Sequence, residues 1–295
     1  MTPREQTRAV RALVEGPAAD LGVRHLGFCP LGDLSGLLRS RRQGVARQLA
    51  EAGGSAMVVL LPYYAGDFPE RNVARYALGQ DYHRVAMEIL SKITAPLRAA
   101  CDGRVFLPLV DSSPLPEVEL AVRAGLGFRG RHGQLIAPGL GSMAFVCEVM
   151  TDLPLEPDLP VLENGCGGCR RCLAACPTGA LTEEGVNTAL CRSHITQKKG
   201  ELTPWEARQV ALGGFAWGCD LCTDACPYNR GPEPTPIGPF REDLTPVLTR
   251  ENLDGLLPGK SYAWRGRDVL LRNLTIIGEE RDRVGDTASG TISGI

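Results

Sequence analysis

Eight of the chain's eleven cysteines lie between residues 166 and 226, in a spacing suited to iron–sulfur chemistry. Cys166-Gly-Gly-Cys169-Arg-Arg-Cys172-Leu-Ala-Ala-Cys176-Pro177 reads C-x2-C-x2-C-x3-C-P. Cys219-Asp-Leu-Cys222-Thr-Asp-Ala-Cys226-Pro227 repeats that pattern short of one cysteine, and Cys191, alone between them, can supply the missing thiolate. Such a set matches the ligands of two [4Fe–4S] clusters, in which the fourth cysteine of each run serves the other cluster. The spacing therefore assigns Cys166, Cys169, Cys172 and Cys226 to one cluster, and Cys176, Cys191, Cys219 and Cys222 to the second. Pro177 and Pro227 end each loop and remove an N–H that would otherwise need a partner. The competing chemistry is a pair of structural zinc sites, since C-x2-C pairs are also zinc knuckles. Zinc calls for two pairs, whereas this chain carries a triplet plus Cys-Pro and then a pair plus Cys-Pro.

The rest of the chain must position this redox core and give its electrons a destination. At 295 residues it has room for about two domains, and 43% hydrophobic content is ordinary for a globular protein. A ferredoxin alone needs about 60–80 residues, so the stretch before Cys166 has another task. A net charge of −2 argues against non-specific coating of nucleic acid, though a local basic groove is compatible with it. The N-terminus lacks the apolar h-region of a signal peptide, and no uninterrupted apolar run approaches about 20 residues, so no membrane span is expected. Unpaired metal-binding thiolates suit a reducing compartment, and a cytoplasmic, oxygen-sensitive protein is expected.

Along the chain, residues 2–21 read as a helix capped by Thr2 with Pro3 at its first position. Val23–Phe28 reads as a strand, Leu34–Ala52 as a helix with a basic patch at Arg39, Arg41 and Arg42, and Ala56–Pro62 as a buried strand. Val85, Ile89, Ile93 and Leu97 form one apolar helical stripe that Pro96 is expected to kink or end. Tyr76, Asp81, Tyr82 and His83 cluster before that stripe; a ligand-facing group, or a capping Asp and a structural His, are both open readings. Val105–Val110 reads as a strand running into Asp111, and Ser113, Pro114 and Glu117 as the next helix start. Asp111, at a strand end, is either a displayed functional carboxylate or a cap. Glycines in Ala124–Arg131 allow close backbone approach, and Leu135-Ile136 and Met143–Val149 read as strands. Cys29, Cys101 and Cys147 are expected in the core. Residues 231–240 read as a Pro-rich linker, 253–277 as one or two short helices, and the polar tail from Gly278 as disordered. No Rossmann fingerprint or Walker A lysine is present, so no nicotinamide or nucleotide site is indicated.

Several of these segments, taken in order, carry a family resemblance. Arg75-Tyr-Ala-Leu-Gly-Gln-Asp-Tyr-His83, Val110-Asp-Ser-Ser-Pro, Ala124-Gly-Leu-Gly-Phe, Gly141-Ser142, Thr151-Asp-Leu-Pro-Leu, Cys191-Arg-Ser and Cys226-Pro-Tyr-Asn-Arg230 resemble the successive signatures of the epoxyqueuosine reductase family over roughly residues 1–278. The resemblance implies a cobalamin-dependent, two-cluster enzyme that reduces the epoxide of epoxyqueuosine in tRNA to queuosine. It implies an α/β (α+β) architecture: a nitroreductase-like corrinoid and substrate domain over residues 1–157, a ferredoxin-like double [4Fe–4S] domain over 158–232, a short helical segment over 233–277 and a disordered tail over 278–295.

By the same resemblance, Asp111 matches the family's proton donor. The segments around Tyr76, His83, Gly141, Ser142, Ser193 and Asp220 match stretches lining the corrinoid. Electrons from an external low-potential donor would pass through both clusters to cobalt, and Asp111 would protonate the departing oxygen. That role requires burial against the corrinoid to raise its pKa from about 3.9. A tRNA substrate, no membrane partner and a monomeric chain complete the expectation. The sequence departs from the family at His194, Arg131 and Cys147, where Tyr, Lys and Gly are common. Longer members continue into a C-terminal helical-repeat domain, and a short form without it is expected here. Two alternatives follow: a related corrinoid-dependent reductase or corrinoid-reducing iron–sulfur protein with a non-tRNA substrate, and a plain electron-transfer protein. Arg192, Lys198 and Lys199 read either as phosphate contacts or as a solvated loop.

Overall fold

The structure, a computed structural model, describes residues 1–38 and 44–289. The basic patch at Arg39, Arg41 and Arg42 lies outside the described residues. Close approaches between Cα atoms divide the chain into two interleaved units rather than successive blocks. The first comprises Met1–Ala65, Tyr82–Cys169 and Cys226–Arg241; the second comprises Gly66–Asp81, Arg170–Ala225 and Glu242–Ile295.

The first unit is built on an antiparallel sheet. Its elements are α1 (Pro3–Asp20), β1 (His25–Pro30), α2 (Val45–Glu51), β2 (Ser55–Pro62), α3 (Tyr82–Ala100), β3 (Phe106–Val110), α4 (Glu117–Arg123), β4 (Phe128–Arg129), β5 (Leu135–Ile136) and β6 (Ala144–Thr151). Thr2 and Glu5 close a capping box on α1, satisfying two of its free N–H groups. The main sheet runs β1-β2-β6-β3, all neighbours antiparallel, with Val58 opposite both Gly27 and Glu148. Every residue of β2 is buried, as its unbroken apolar run requires of a central strand. Alternation puts Ala56, Val58 and Leu60 on the face packed with Leu120 and Ala121 of α4, while α3 packs against α1 and β3.

Several expectations are corrected here. Pro96 does not end α3, which runs on to Ala100. The helix expected at Ser113–Pro114 starts three residues later, at Glu117, because the Ser113 hydroxyl instead accepts from Leu115 N at 3.1 Å and holds a turn. Cys29 and Cys147 are buried as expected, but Cys101, at the end of α3, is only half-buried. The Pro-rich 231–240 stretch is not a free linker. Thr235 is fully buried, donating from its N–H to Tyr64 O at 2.7 Å and from its hydroxyl to Pro62 O at 2.6 Å, and Ile237 and Phe240 are buried beside it.

The second unit is a set of short elements around its own core: α5 (Arg171–Ala175), β7 (Leu181–Thr182), β8 (Gly185–Val186), α6 (Arg192–Thr196), α7 (Pro204–Gly213), α8 (Leu221–Asp224), α9 (Leu253–Leu256) and α10 (Arg267–Ser289). Val73, Leu78, Ile195, Val210, Trp217, Tyr262 and Leu270 meet in that core. Buried Asn273 of α10 donates to Thr196 O at 2.7 Å and Ala216 O at 2.8 Å, tying the helix to the chain just before Cys219. α10 continues past Gly278, where a disordered tail was expected, to Ser289. Among the described residues no helix is long and apolar enough to cross a membrane.

Candidate functional site

In the first unit, β3 ends at Val110 and the next residue, Asp111, adopts φ 50°, a left-handed conformation uncommon for a residue with a Cβ. The first two residues of α3 meet it there. The Tyr82 hydroxyl donates to Asp111 Oδ2, and His83 Nε2 lies 3.4 Å from the same oxygen. The Tyr82 ring stacks on His83 at 4.0 Å and on Phe145 of β6 at 4.1 Å, so the sheet fixes the orientation of the hydroxyl. The Asp111 and His83 side chains keep 49% and 38% of their surface exposed, leaving an open polar face for a ligand.

Burial pushes the Asp111 carboxyl up, but the hydrogen bonds from His83 and Tyr82, the charge of His83 and a hydrogen bond with Glu117 pull harder. It ends below the usual carboxylate range. The expected rise depends on burial against a corrinoid, and the protein groups around Asp111 act in the opposite direction. Asp111 rests ionised, and the proton nearest to it sits on Tyr82 or His83.

Gly141 and Ser142, also expected near a cofactor, are clamped by Asn229. Ser142 N donates to Asn229 Oδ1 at 2.7 Å, Asn229 Nδ2 donates to Ser142 Oγ at 2.8 Å, and the Tyr63 hydroxyl donates to Ser142 O at 3.2 Å. Gly141 has φ +60°, and a Cβ there would fall 2.1 Å from Asn229 Oδ1 and 2.5 Å from Tyr228 O. Only glycine allows that approach. The polar groups of this pair thus face protein, held by Asn229, which lies three residues after Cys226.

The remaining expected contacts lie in the second unit. Tyr76, in a short 3-10 turn over Arg75–Ala77, accepts from Gln197 Nε2 at 3.4 Å. Ser193 is half-buried on α6. Asp220 is buried and accepts from Arg75 N at 2.8 Å and Arg71 Nε at 3.3 Å, while Arg71 Nη2 reaches Asp224 at 2.7 Å. Burial drives the Asp220 carboxyl up, against the backbone N–H of Arg75 and the charge of Arg71.

The cysteines fall into two groups. In the first unit Cys226 feels the fields of Cys166 and Cys169, and Arg131 N donates to Cys166 Sγ at 3.4 Å. In the second unit burial pushes the Cys222 thiol to about 12, and Cys219, Cys191 and Cys176 each add to the rise. Burial also raises Cys176, but Thr178 and the N–H groups of Thr178, Leu181 and Ala180 outweigh it, and that thiol ends below its ordinary value. N–H donors aimed at sulfur suit a thiolate ligand, and a group of mutually repelling thiols suits a cationic iron core. Cys172 lies on α5, which packs against α8. Among the described residues no three His, Cys, Asp or Glu side chains are arranged to hold a single metal ion.

Three residues of these sites were not singled out by sequence reasoning, or were read differently. Asn229 gave no signal beyond its place after Cys226-Pro. Lys260 is a lone lysine in the sequence, yet it is buried and its ammonium donates to Leu78 O at 2.8 Å, to Gly79 O at 3.2 Å and to Asp243 O. Arg192, considered as a phosphate contact, is buried at 7% exposure, whereas Lys198 pairs with Glu206 at 2.6 Å and Lys199 is exposed.

A mixed α/β unit with an open carboxylate at a strand end, joined to paired cysteine groups, defines an iron–sulfur redox protein. Residues 165–229 match the family described as a 4Fe-4S double cluster binding domain, and residues 42–112 match the one described as epoxyqueuosine reductase QueG, DUF1730. The chain belongs to the epoxyqueuosine reductase family. It is 35% identical over 227 residues to the epoxyqueuosine reductase of a Synechocystis strain, covering 73% of this chain and 78% of that protein. The Aliivibrio fischeri epoxyqueuosine reductase is 38% identical over 238 residues, which are 75% of this chain; the chain spans 64% of that protein's length. A solved structure of epoxyqueuosine reductase with an epoxyqueuosine-modified tRNA-Tyr stem loop superposes with a TM-score of 0.77 at 27% identity, covering 92% of this chain and 80% of the other.

Proposed function

We propose that the chain reduces epoxyqueuosine to queuosine in tRNA. The observation that carries this reading is the Tyr82–Asp111–His83 constellation at the end of β3, in a chain of this family. Removing the epoxide oxygen as water takes two electrons and two protons. Two [4Fe–4S] clusters, held by Cys166, Cys169, Cys172 and Cys226 and by Cys176, Cys191, Cys219 and Cys222, would supply one-electron transfer. Cobalamin, when bound, would supply the reducing centre that meets the substrate carbon.

The residues of this chain provide the rest. His83 and Asp111, each with more than a third of its side chain exposed, form an open face that a flat macrocycle could cover. Of the other residues expected beside the corrinoid, Tyr76 and Ser193 keep partial exposure, whereas Gly141, Ser142 and Asp220 act by holding the segments around them. Because Asp111 rests ionised, it receives a proton from His83 or Tyr82 as negative charge develops on the departing oxygen, and then donates it. Such proton transfer contributes about 10²–10⁴-fold. An external low-potential donor, a cytoplasmic setting and a monomeric chain belong to the same proposal.

The test is nucleoside mass analysis of epoxyqueuosine-containing tRNA, incubated anaerobically with reconstituted, reduced protein, with and without cobalamin. Queuosine formed only with cobalamin is the expected result. Two intact clusters and bound corrinoid without queuosine would overturn the substrate assignment.

A further inference from the structure

A buried guanidinium stands beside the cysteine group of the second unit. Arg192 is 7% exposed and is the first residue of α6, directly after Cys191 at the helix N-cap. Its Nη2 donates to the neutral Gln209 Oε1 at 3.4 Å, and its buried Nε has no hydrogen-bond partner. Among the described residues no carboxylate pairs with it. A buried cation without a counter-charge is strongly unfavourable.

The fold nevertheless makes room for it. A Cβ on Gly213, the last residue of α7, would fall 2.6 Å from Arg192 Cδ and 2.9 Å from Nε. The side chain therefore lies against the end of α7, in the space that a Cβ on Gly213 would take.

We infer that Arg192 is the positive charge that sets the reduction potential of the cluster held by Cys176, Cys191, Cys219 and Cys222. This rests on the two-cluster reading above. Four thiolates around a [4Fe–4S] core give the assembly a net negative charge that grows by one on reduction, and cluster potential follows net charge, hydrogen bonding and exposure. A buried guanidinium stabilises the more negative, reduced state, because Coulomb interactions are weakly screened there. Arg192 thus raises the potential of this cluster and supports its filling from the donor side.

The experiment is an EPR-monitored redox titration of the full chain, reconstituted anaerobically, with iron and sulfide counted first. Wild type without eight irons per chain would defeat the two-cluster reading and is recognised before any potential is read. With eight irons, Arg192→Gln is expected to move one of the two reduction waves to more negative potential. Arg192→Lys, which keeps the charge, restores that wave towards wild type, and Arg208→Gln, at an exposed cation on α7, moves neither. Two waves unchanged in a fully loaded Arg192→Gln protein would overturn the inference. Should that variant lose a cluster, Gly213→Ala, which keeps the guanidinium but displaces it, takes its place: a lowered wave supports the inference and an unmoved one overturns it.

Discussion

Asn229 grips Ser142 twice, accepting from its backbone N–H at 2.7 Å and donating to its hydroxyl at 2.8 Å. Both residues are buried, so neither bond is replaced by water when it is lost. The grip also fixes the chain three residues after Cys226. Asn229→Ala leaves a buried N–H and hydroxyl unsatisfied, a cost of about 1–3 kcal/mol. It is expected to lower both thermal stability and the iron retained per chain. Gly141→Ala is expected to do the same through the clash with Asn229 and the positive φ. Iron content equal to wild type in both variants would show that this clamp does not support the Cys226 ligand.

Asp111→Asn keeps the shape of the side chain and removes its capacity to relay a proton. Turnover is expected to fall by about 10²–10⁴-fold, with both clusters loaded and their EPR signals unchanged. Tyr82→Phe removes one hydrogen bond to the carboxylate and leaves His83 in place, so a smaller loss is expected. Single-turnover assays on epoxyqueuosine-containing tRNA separate these outcomes. Wild-type rates in Asp111→Asn would remove the proton relay from the proposal.

Lys260 fastens the turn after Tyr76 through the carbonyls of Leu78, Gly79 and Asp243, and Asp81 N donates to Gly259 O at 2.7 Å alongside. Lys260→Met keeps the bulk of the stem but removes the donor to the Gly79 and Asp243 carbonyls, a cost of about 1–3 kcal/mol, while Leu78 O keeps Thr245 N at 2.9 Å. Hydrogen exchange should quicken at Asp81, whose amide is bonded within this same joint. Unchanged protection there would show that the backbone bonds suffice without the ammonium.

The cluster cysteines were legible because a cubane's ligand spacing is written in consecutive residues. The unbroken apolar run of β2 and the capping box at Thr2 were legible for the same reason: their causes are local. Asn229, Lys260 and Arg192 act across 87, 182 and 17 residues respectively, and no periodicity records such pairings. Residues 231–240 were misread because proline content suggests a linker, whereas Thr235 finds acceptors on Pro62 and Tyr64, about 170 residues away. For Asp111 the position was legible, but the downward pull of His83 and Tyr82 on its carboxyl was not, because both arrive from another element.

Asp111 and Asp220 should respond to pH with opposite signs. The Asp111 carboxyl sits below its ordinary value, so the unfolded chain binds more protons in that window and the stability it contributes is present above about 3.9 and lost as pH falls further. Between about pH 5 and 7 the penalty of Asp111→Asn on stability is therefore flat. Burial holds Asp220 above its ordinary value, so the folded chain binds more protons once pH exceeds the unfolded pKa, and the contribution of this group falls as pH rises through the folded value. The amide in Asp220→Asn does not titrate, so the penalty of that substitution should shrink as pH rises from about 4 towards neutrality. Asp220→Ala, which leaves Arg71 and the Arg75 amide short of a partner, should cost more, about 3–5 kcal/mol for breaking a buried pair from one side. Thermal denaturation of the cluster-loaded variants under argon, at several pH values, reads these slopes directly. A flat penalty for Asp220→Asn would mean that the two arginines, rather than burial, set the charge of that carboxylate.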